Sequence, residues 1–548
     1  MPRAPFKSRK LTAAAALLLA SAGAIVGQKA YELADDPTGE KDCSSLGVTA
    51  LAGTSASPTG APTAPVAAVA VSPANQSAAA AALPWSQRGG TLNDASCLNR
   101  TPVHGIVQVT SEDEIRSALE YARANNLKVS IAGARHSMGG QAFFKDALVL
   151  DMTRFNALSL DAGNKLLTVQ SGATWHDIQN VLHPRYAVKA MQSTDIFTVG
   201  GSISVNAHGM DHQVGAVGRT IRAMRVMLPD GSVVTTGPSE NAELFELVVG
   251  GYGLFGIVLD AQLEVADNVI YQTGRQIVDY RAFSDLFAND LAQDRSLGLF
   301  YGHLSTSPDS LLREMILYRY TEAEGPRNDL PPLGEVSSVK LRRLLLNYAK
   351  QGDMPMRIKW LAEKYVEPLL ESCTVPRSQA ISQGEACLLS RNEPMHDSVP
   401  YLKNNLGSET DILHEYFIPR DRFVTFVDGL RAIVQANRTK LLNASVRVVH
   451  REEHVLSYAP TNVFAVVLYI NQPTTDEGHR QMGQTTREIV DLALRVDGTF
   501  FLPYQLHYTP EQLQRSYPRV GELFSAKRRY DPHGLLTNTF YERFGPSF

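Results

Sequence analysis

The residue with the clearest chemical potential is His136, because it lies inside a segment of small residues, Ile131 to Gly140. The segment reads IAGARHSMGG and follows a short apolar run, Leu127 to Ile131, that is typical of a buried strand. Glycine and alanine let the backbone turn tightly and approach a ligand, and successive N–H groups in such a turn suit a diphosphate. A neutral imidazole is also nucleophilic. The segment therefore predicts a diphosphate-binding loop that contains a histidine.

Two further segments rich in small residues lie downstream of this loop. Thr198 to Gly209 reads TVGGSISVNAHG, and Gly250 to Ile257 reads GGYGLFGI. Glycine turns are common, so one such segment carries little information. Three of them in this order and spacing are much more specific.

Residues 99–268 resemble the flavin domain of the vanillyl-alcohol oxidase superfamily, which binds FAD in a domain of the PCMH type. The GARHS loop is similar to the flavin-attaching loop of alditol oxidase, gulonolactone oxidase and cytokinin dehydrogenase. The run Asn206 to Gln213, with Leu228 to Gly231 after it, also resembles decaprenylphosphoryl-ribose oxidase, and Lys527 to Asn538 resembles the closing segment of these enzymes. The resemblance implies bound FAD and hydride transfer to flavin N5 from a CH–OH group of a sugar, polyol, lactone or related alcohol.

The resemblance also implies how the cofactor is held. In the similar oxidases the loop histidine is bonded to the 8α-methyl of FAD, and here that residue is His136. The alternative is a histidine beside non-covalent FAD, as in the prenylphosphoryl-ribose oxidase, whose loop lacks it. The cofactor-binding residues that we predict are Ala132, Gly133, Ala134, Arg135, His136, Ser137, Met138, Gly139, Thr194, Asp195, Thr198, Gly201, Ser204, His208, Ile257, Val258 and Asn538.

Four residues from the second half of the chain are candidates for catalysis, because the reaction needs a base for the substrate proton. Glu415 lies in the run HEYF, which resembles the central strand of sugar oxidases, and Arg447 alternates with apolar residues on a predicted strand. Gln505 and His507 share one face at a period of two. Related oxidases place a histidine or lysine here near the reacting edge of the flavin, so His507 is the predicted base. A hydrogen-bonded structural role is the alternative for each residue.

The surrounding segments predict a mixture of strands and helices. Ser111 is a predicted N-cap, and acids follow it at the start of an amphipathic helix that runs to Ala124. Ile221–Leu228 and Val233–Thr236 predict a hairpin. Further predictions are strands at 147–152, 166–169, 297–304, 314–320 and 463–470, and helices at 174–182, 340–350, 356–370 and 423–436. Strict βαβ alternation is absent and no GxGxxG run stands at a strand-to-helix turn, so the predicted class is α+β rather than a doubly wound sheet.

Five regions are expected along the chain. Residues 1–30 are a signal peptide or membrane anchor, and 31–98 are a linker rich in Ala, Pro and Ser. Residues 99–268 form the two-subdomain PCMH-type FAD-binding domain, and 269–500 an α+β substrate domain built from an antiparallel sheet with helices. Residues 501–548 return to pack on the FAD domain.

The first region has the features of a targeting signal. Basic residues precede the uncharged run Leu11 to Gly27, and Ala20 to Ala22 offers a cleavage site. The run of 17 residues is at the short limit for crossing a bilayer. We therefore expect an exported protein, periplasmic or membrane-anchored, with a cytoplasmic protein as the alternative.

Net charge and cysteine spacing limit the kinds of ligand and partner that the sequence predicts. The 548 residues carry a net charge of −4, which does not suggest nucleic acid. None of the four cysteines lies in a CxxC pair, so no metal site is predicted. Cys43 with Cys97 and Cys373 with Cys387 are possible disulfides, and four free thiols are the alternative. The basic segment 340–364 either contacts an anionic membrane or phosphorylated substrate, or is a solvated helix face.

Three functions remain open at this stage. The first is an alcohol or sugar oxidoreductase with FAD on His136. The second holds FAD non-covalently and oxidises a lipid-linked sugar with a membrane electron acceptor. The third is a flavin-binding envelope protein without turnover. The electron acceptor is oxygen, a quinone or a cytochrome, and because the chain has no haem CxxCH or iron–sulfur spacing, a cytochrome would be a separate chain.

Overall fold

The computed structural model describes residues 83–324, 330–333, 345–367, 388–396 and 408–548. The strands are β1 (Trp85–Arg88), β2 (Thr91–Leu92), β3 (Thr101–Pro102), β4 (Gly105–Gln108), β5 (Val129–Ala132), β6 (Leu148–Asp151), β7 (Leu158–Asp161), β8 (Leu166–Gln170), β9 (Tyr186–Val188), β10 (Ile221–Met227), β11 (Val233–Thr236), β12 (Ile257–Asp267), β13 (Ile270–Asp279), β14 (Leu297–Leu304), β15 (Glu314–Ala323), β16 (Leu388–Ser390), β17 (Glu409–Pro419), β18 (Lys440–Val449), β19 (Val463–Pro473) and β20 (Thr499–Phe500). The helices are α1 (Glu112–Ala124), α2 (Trp175–Leu182), α3 (Val199–Ser204), α4 (Ala242–Val248), α5 (Phe283–Leu286), α6 (Asp353–Tyr365), α7 (Glu393–His396), α8 (Phe423–Ala436), α9 (Asp476–Arg495), α10 (Pro510–Ser516), α11 (Val520–Tyr530) and α12 (Thr539–Phe544).

The N-terminal half contains two main sheets of different type, besides the antiparallel pair of β2 and β3. The four-stranded sheet has the order β1-β4-β6-β5, and its β4–β6 and β5–β6 pairs are parallel. The predicted helix is confirmed as α1, which connects β4 to β5. Ser111 caps it, and Ile115 and Leu119 are buried. The second sheet is antiparallel, in the order β11-β10-β12-β8-β7 with β9 beside β12, and it includes the predicted hairpin β10–β11. The helix predicted after Thr174 is also confirmed as α2.

The second half is organised on one large antiparallel sheet. Eight strands follow the order β16-β13-β15-β14-β18-β19-β17-β20. The predicted strands at 297–304, 314–320 and 463–470 are confirmed within β14, β15 and β19. Helices α8 and α9 pack together and α9 contacts the sheet, burying apolar residues such as Phe426 and Ile489. The opposite face of the sheet is left to line a cavity.

The C-terminal tail returns to the first sheet. Leu536 forms a parallel bridge with Val129, and the Thr537 N–H donates to the Val129 carbonyl at 2.8 Å. The Ser130 hydroxyl donates to the Thr537 carbonyl at 2.8 Å. Strand β5 leads directly into the loop that carries His136, so the tail supports the base of that loop.

The basic segment and the cysteines are only partly described. The four cations between 345 and 367 all pair with carboxylates, in the pairs Lys350–Asp411, Arg357–Asp309, Lys359–Glu363 and Lys364–Glu314. Each of these described cations thus has a carboxylate partner, and the two interpretations of the basic segment stay predictions. Cys97 is disulfide-bonded. The other three cysteines, the predicted N-terminal region and residues 340–344 and 368–370 of two predicted helices lie outside the described ranges, so the disulfide pairing stays a prediction. No helix of the described ranges is both long and apolar enough to cross a lipid bilayer.

A buried arginine joins the two halves of the molecule. Arg391 Nη2 lies 2.6 Å from Asp211 Oδ2, and Arg391 Nη1 donates to the Tyr271 hydroxyl at 2.7 Å. Its second Nη2 contact is the carbonyl of Lys189, at 3.0 Å. Asp211 and Lys189 belong to the N-terminal half, whereas Arg391 and Tyr271 belong to the second. The guanidinium therefore holds the large sheet against the domain that carries the loop.

Replacing Arg391 with methionine is expected to destabilise the protein by about 3–5 kcal/mol, because it leaves the Asp211 carboxylate buried without its cation. Thermal unfolding followed by circular dichroism measures the change. Arg480→Ala is the control, since it removes an exposed pair with Glu477 and is expected to leave the melting temperature unchanged. Equal melting temperatures for Arg391→Met and the wild type would contradict this role.

Candidate functional site

A cavity of about 860 Å³ lies between the loops of the N-terminal half and the free face of the large sheet. Its volume falls in the range of small-molecule and cofactor sites. The loop side includes Gly133 to Ser137, Gln192 to Thr194 and residues near α3. The sheet side includes Glu415 on β17 and Arg447 on β18. The predicted loop and the predicted substrate domain thus face each other across one space.

The loop is anchored at its flank and presents its centre to the cavity. The Met138 N–H donates to the carbonyl of Pro503 at 2.7 Å, and the Gly140 N–H donates to the Asp94 carboxylate at 3.0 Å. Burial raises the pKa of Asp94 to about 6. Arg135, in the middle of the loop, adopts a φ of 55°, a left-handed conformation that reverses the chain tightly. Because the flank is fixed, the residues between 133 and 137 hold their position at the cavity.

Small residues create space where the loop approaches α3. A Cβ on Gly133 would collide with the Thr198 side chain, and one on Gly200 would lie 2.7 Å from the Cβ of Ser171. The hydroxyls of Ser171 and Ser193 are buried at the cavity without a hydrogen-bond partner among the described residues. Buried hydroxyls are normally satisfied. These two are therefore placed for the polar atoms of a bound ligand, which fits a phosphate-bearing cofactor.

His136 lines this cavity as predicted from its position in the loop. Its ring stands edge-on to Phe197, with 5.2 Å between ring centroids. Phe197 belongs to the segment just before α3 and also lines the cavity. The contact fixes the plane of the imidazole at the cavity wall.

The predicted cofactor residues divide into two groups. Those that line the cavity are Gly133, Ala134, Arg135, His136, Ser137, Thr194, Thr198, Gly201, Ser204, His208 and Val258. Those that the structure places outside its lining are Ala132, Met138, Gly139, Asp195, Ile257 and Asn538.

Each residue of the second group has a structural reason for its position. Ala132 and Ile257 belong to strands and point into neighbouring apolar clusters, so that Val258, the next residue, faces the cavity instead. Met138 is buried in the main core, and the Gly139 N–H donates to Gln141. The polar groups of the other two residues bind neighbouring protein groups. Asp195 contacts two histidines, and Asn538 caps α12 and donates to the Tyr252 carbonyl.

The most polar part of the cavity is a buried cluster around Glu415. Glu415 is 4% exposed, and its Oε1 lies 2.7 Å from Nε2 of His208, which is 3% exposed. The Tyr504 hydroxyl donates to the other carboxylate oxygen at 3.3 Å. Nδ1 of His208 has no hydrogen-bond partner among the described residues. With Nε2–H donated to Glu415, that Nδ1 carries the lone pair and can accept a proton.

Two of the predicted catalytic residues are placed elsewhere. His507 and Gln505 do not line the cavity. The segment after β20 is irregular, so the period-two face on which both were predicted does not exist. Gln505 donates to Ser96 Oγ and to the Met138 carbonyl, which is a structural role. His507 packs against His479, and burial lowers the pKa of His507 to about 3. The prediction of His507 as the base therefore has no support in its position.

Arg447 supplies a positive charge on the sheet side. It lines the cavity, and none of the hydrogen bonds or ion pairs in the described part of the chain uses its guanidinium. Its charge lowers the pKa of Tyr504, which burial raises, so the two groups are close. His303 on β14 also lines the cavity, and burial lowers the pKa of His303 to about 3, so it is neutral near pH 7.

Sequence reasoning missed three cavity residues that matter. Tyr504 lies one position before the predicted Gln505, and only the irregular backbone turns it inward. Ser171 directly follows β8 and Ser193 directly precedes the predicted Thr194, and neither belongs to a recognisable motif. A signal did exist for Tyr504, because the run PYQLH places several polar side chains close together.

The fold and the site define a two-domain protein with a large cavity between a domain of small-residue loops and an antiparallel sheet. A model of the FAD-binding domain family matches residues 103–237. Decaprenylphosphoryl-β-D-ribose oxidase of Mycolicibacterium smegmatis is 31% identical over 455 residues, which are 81% of this chain and 95% of that enzyme. The mouse L-gulonolactone oxidase is 30% identical over 29% of this chain and 36% of its own length. An uncharacterised oxidoreductase of Rhodococcoides fascians is 29% identical over 40% of this chain, which spans half of that relative.

The chain belongs to the vanillyl-alcohol oxidase family of FAD-dependent oxidoreductases, with an FAD-binding domain of the PCMH type. The resemblance predicted from the sequence is therefore confirmed. The cavity residues fit FAD. The glycines let the backbone of the loop approach a cofactor closely, and the hydroxyls of Ser171 and Ser193 can bind its polar atoms.

Proposed function

We propose that this protein oxidises a CH–OH group of a sugar, polyol, lactone or related alcohol. The observation that carries the proposal is the buried Glu415 carboxylate, held at the cavity by His208 and Tyr504. FAD, when bound, supplies the two-electron acceptor for the hydride that leaves the substrate carbon. The residues of the chain must therefore bind the alcohol, orient its carbon and take the hydroxyl proton.

The pair formed by His208 and Glu415 is proposed to take the hydroxyl proton of the substrate. Glu415 accepts the Nε2–H of His208 and so fixes the tautomer in which Nδ1 is the acceptor, an arrangement in which a carboxylate orients a histidine base. The carboxylate also stabilises the imidazolium that forms after proton transfer. Tyr504 holds the second carboxylate oxygen and prevents rotation of the Glu415 side chain.

The cofactor is proposed to be bonded covalently to His136. The support is its place in the cavity wall and its fixed ring, together with the GARHS sequence that resembles the flavin-attaching loops. Gly133 to Ser137, Thr198, Gly201 and Ser204 would hold the cofactor, and Ser171 and Ser193 would donate to its polar atoms.

Replacing Arg447 with methionine is expected to raise KM for the substrate by about 10–100-fold with a smaller effect on kcat, because a charge-assisted hydrogen bond to a substrate oxygen contributes about 1.5–3 kcal/mol. Steady-state kinetics separates the two parameters. Arg495→Met, at the end of α9 and outside the cavity lining, is the control. A change in kcat alone would assign Arg447 to the reacting centre instead of to substrate binding.

A second candidate is a lipid-linked sugar oxidase, favoured by the similarity to the decaprenylphosphoryl-ribose oxidase across 81% of this chain. In that case FAD is non-covalent and a membrane electron acceptor takes the electrons. Export and membrane attachment through the N-terminal region are part of this proposal, and the acceptor in either case is oxygen, a quinone or a cytochrome. A flavin-binding envelope protein without turnover is the third candidate.

Anaerobic flavin reduction tests the proposal. The purified protein is mixed with sugars, polyols, lactones and a short-chain prenylphosphoryl sugar, and bleaching of the flavin absorbance is followed. Reduction by a free alcohol supports the first candidate, and reduction by the prenylphosphoryl sugar alone supports the second. A flavin that no alcohol reduces, although dithionite reduces it, would support the protein without turnover.

A further inference from the structure

Outside the catalytic cluster, three side chains meet at the junction of the two halves of the molecule. Nδ1 of His176 lies 2.9 Å from Asp195 Oδ2, and Nδ1 of His396 lies 3.0 Å from the same oxygen. The two imidazole rings are stacked with centroids 4.9 Å apart. His176 is on α2, Asp195 is in the segment before α3, and His396 ends α7 in the second half. The three ligand atoms lie within 4.8 Å of one another.

This set has the composition of a transition-metal site. Two imidazole nitrogens and one carboxylate oxygen are ligands that zinc and its neighbours in the first transition row accept. Ligand atoms about 2.0–2.1 Å from a tetrahedral ion lie about 3.3–3.5 Å apart, so the two distances here need to open by only a few tenths of an ångström. The side-chain oxygen of Gln179 lies 3.2 Å from Nδ1 of His396 and is a candidate fourth ligand.

The burial of Asp195 gives a second, independent indication. Asp195 is 1% exposed, and its Oδ1 has no hydrogen-bond partner among the described residues. An orphaned buried carboxylate oxygen is costly unless a further partner is bound. The side chain of His176 is 37% exposed, so an ion can reach the cluster from solvent.

We propose that His176, Asp195 and His396 bind one divalent transition metal, zinc being the best match, and that this ion is structural. The three ligands connect α7 of the second half with α2 and with the segment before α3. The segment before α3 contains Ser193, Thr194 and Phe197, which line the cavity. The ion therefore fixes one wall of the cavity to the substrate side. The inference is independent of the proposed oxidation, and it goes against the sequence prediction of no metal, which considered only cysteine pairs.

Metal coordination needs the Nδ1 lone pair of each histidine. In the metal-free protein Nδ1 of His176 lies against Asp195 Oδ2, and Nδ1 of His396 lies near both that oxygen and the side-chain oxygen of Gln179. A neutral imidazole presents the Nδ1 lone pair as its Nε2–H tautomer, so the ion would replace the hydrogen bonds of the cluster.

The test uses the full-length flavoprotein, treated with a chelator and dialysed. Zn²⁺ titration by calorimetry is expected to give one ion per chain, and Co²⁺ is expected to produce ligand-field absorption at longer wavelength than the flavin bands. His396→Ala and His176→Ala should weaken binding at least tenfold and abolish the rise in melting temperature that Zn²⁺ gives the wild type. His104→Ala, an exposed histidine of the same half, should behave as the wild type.

Two results would overturn the proposal. Wild-type protein that takes up no stoichiometric Zn²⁺ and shows no Co²⁺ absorption would leave the cluster as a hydrogen-bonded triad. Equal Zn²⁺ affinity in the wild type and in both variants would place the metal elsewhere. The half-exposed His176 provides a variant that retains the fold if His396→Ala does not, and flavin content reports folding for each.

Discussion

Replacing His136 with alanine is expected to change a flavin that stays with the protein in acid into one that acid releases. The wild type, denatured in acid and separated on a gel, should show flavin fluorescence in the protein band, and the variant should not. The physical reason is that the other cavity residues offer only non-covalent contacts, which are lost when the fold is lost. The variant should also oxidise its substrate about 10–100-fold more slowly, because an imidazole on the flavin ring withdraws electron density and eases hydride acceptance.

The control for this experiment is His104→Ala, since His104 is exposed and lies outside the cavity. It should keep the fluorescent band. Flavin in the supernatant of the wild type would remove His136 as an attachment point and favour the lipid-linked sugar oxidase. Fluorescence that persists in His136→Ala would mean that another side chain carries the cofactor.

Local patterns predicted the elements well, because they depend on short stretches of sequence. Helix α1 follows from a serine cap and apolar spacing, and the hairpin β10–β11 follows from a turn between two apolar runs. The loop around His136 was predicted from its small residues, and its central part does line the cavity. Its edges lie outside the cavity lining, since Ala132 belongs to β5 and the Gly139 N–H donates to Gln141.

Side-chain direction in irregular segments could not be read from the sequence. The assumption of strand geometry after β20 gave His507 an inward position, whereas the backbone turns there and Tyr504 enters the cavity instead. The cluster of His176, Asp195 and His396 was missed for another reason. His176 and Asp195 are 19 residues apart without a recognisable spacing motif, and only the packing of the two halves brings the distant His396 to them.

Replacing Glu415 with glutamine is expected to slow flavin reduction by about 10²–10⁴-fold while the protein keeps its FAD. Glutamine preserves the size of the side chain and its oxygen can still accept from His208, but it carries no negative charge. The imidazolium that forms at His208 during proton transfer then lies in a buried site without its counter-charge, which is costly. Stopped-flow reduction with saturating substrate measures the rate, and flavin absorbance in the resting protein reports cofactor content.

Two companion variants make the result specific. Tyr504→Phe removes one hydrogen bond to Glu415 but leaves the charge, so it should cost about tenfold or less. His208→Asn removes the proton acceptor, so its flavin should be reduced at least as slowly as that of Glu415→Gln. The double variant should reduce its flavin no more slowly than the slower single variant, because the two residues act as one unit. Additive losses would show that the two residues act separately. A Glu415→Gln enzyme reduced at the wild-type rate would move the base elsewhere on the cavity wall.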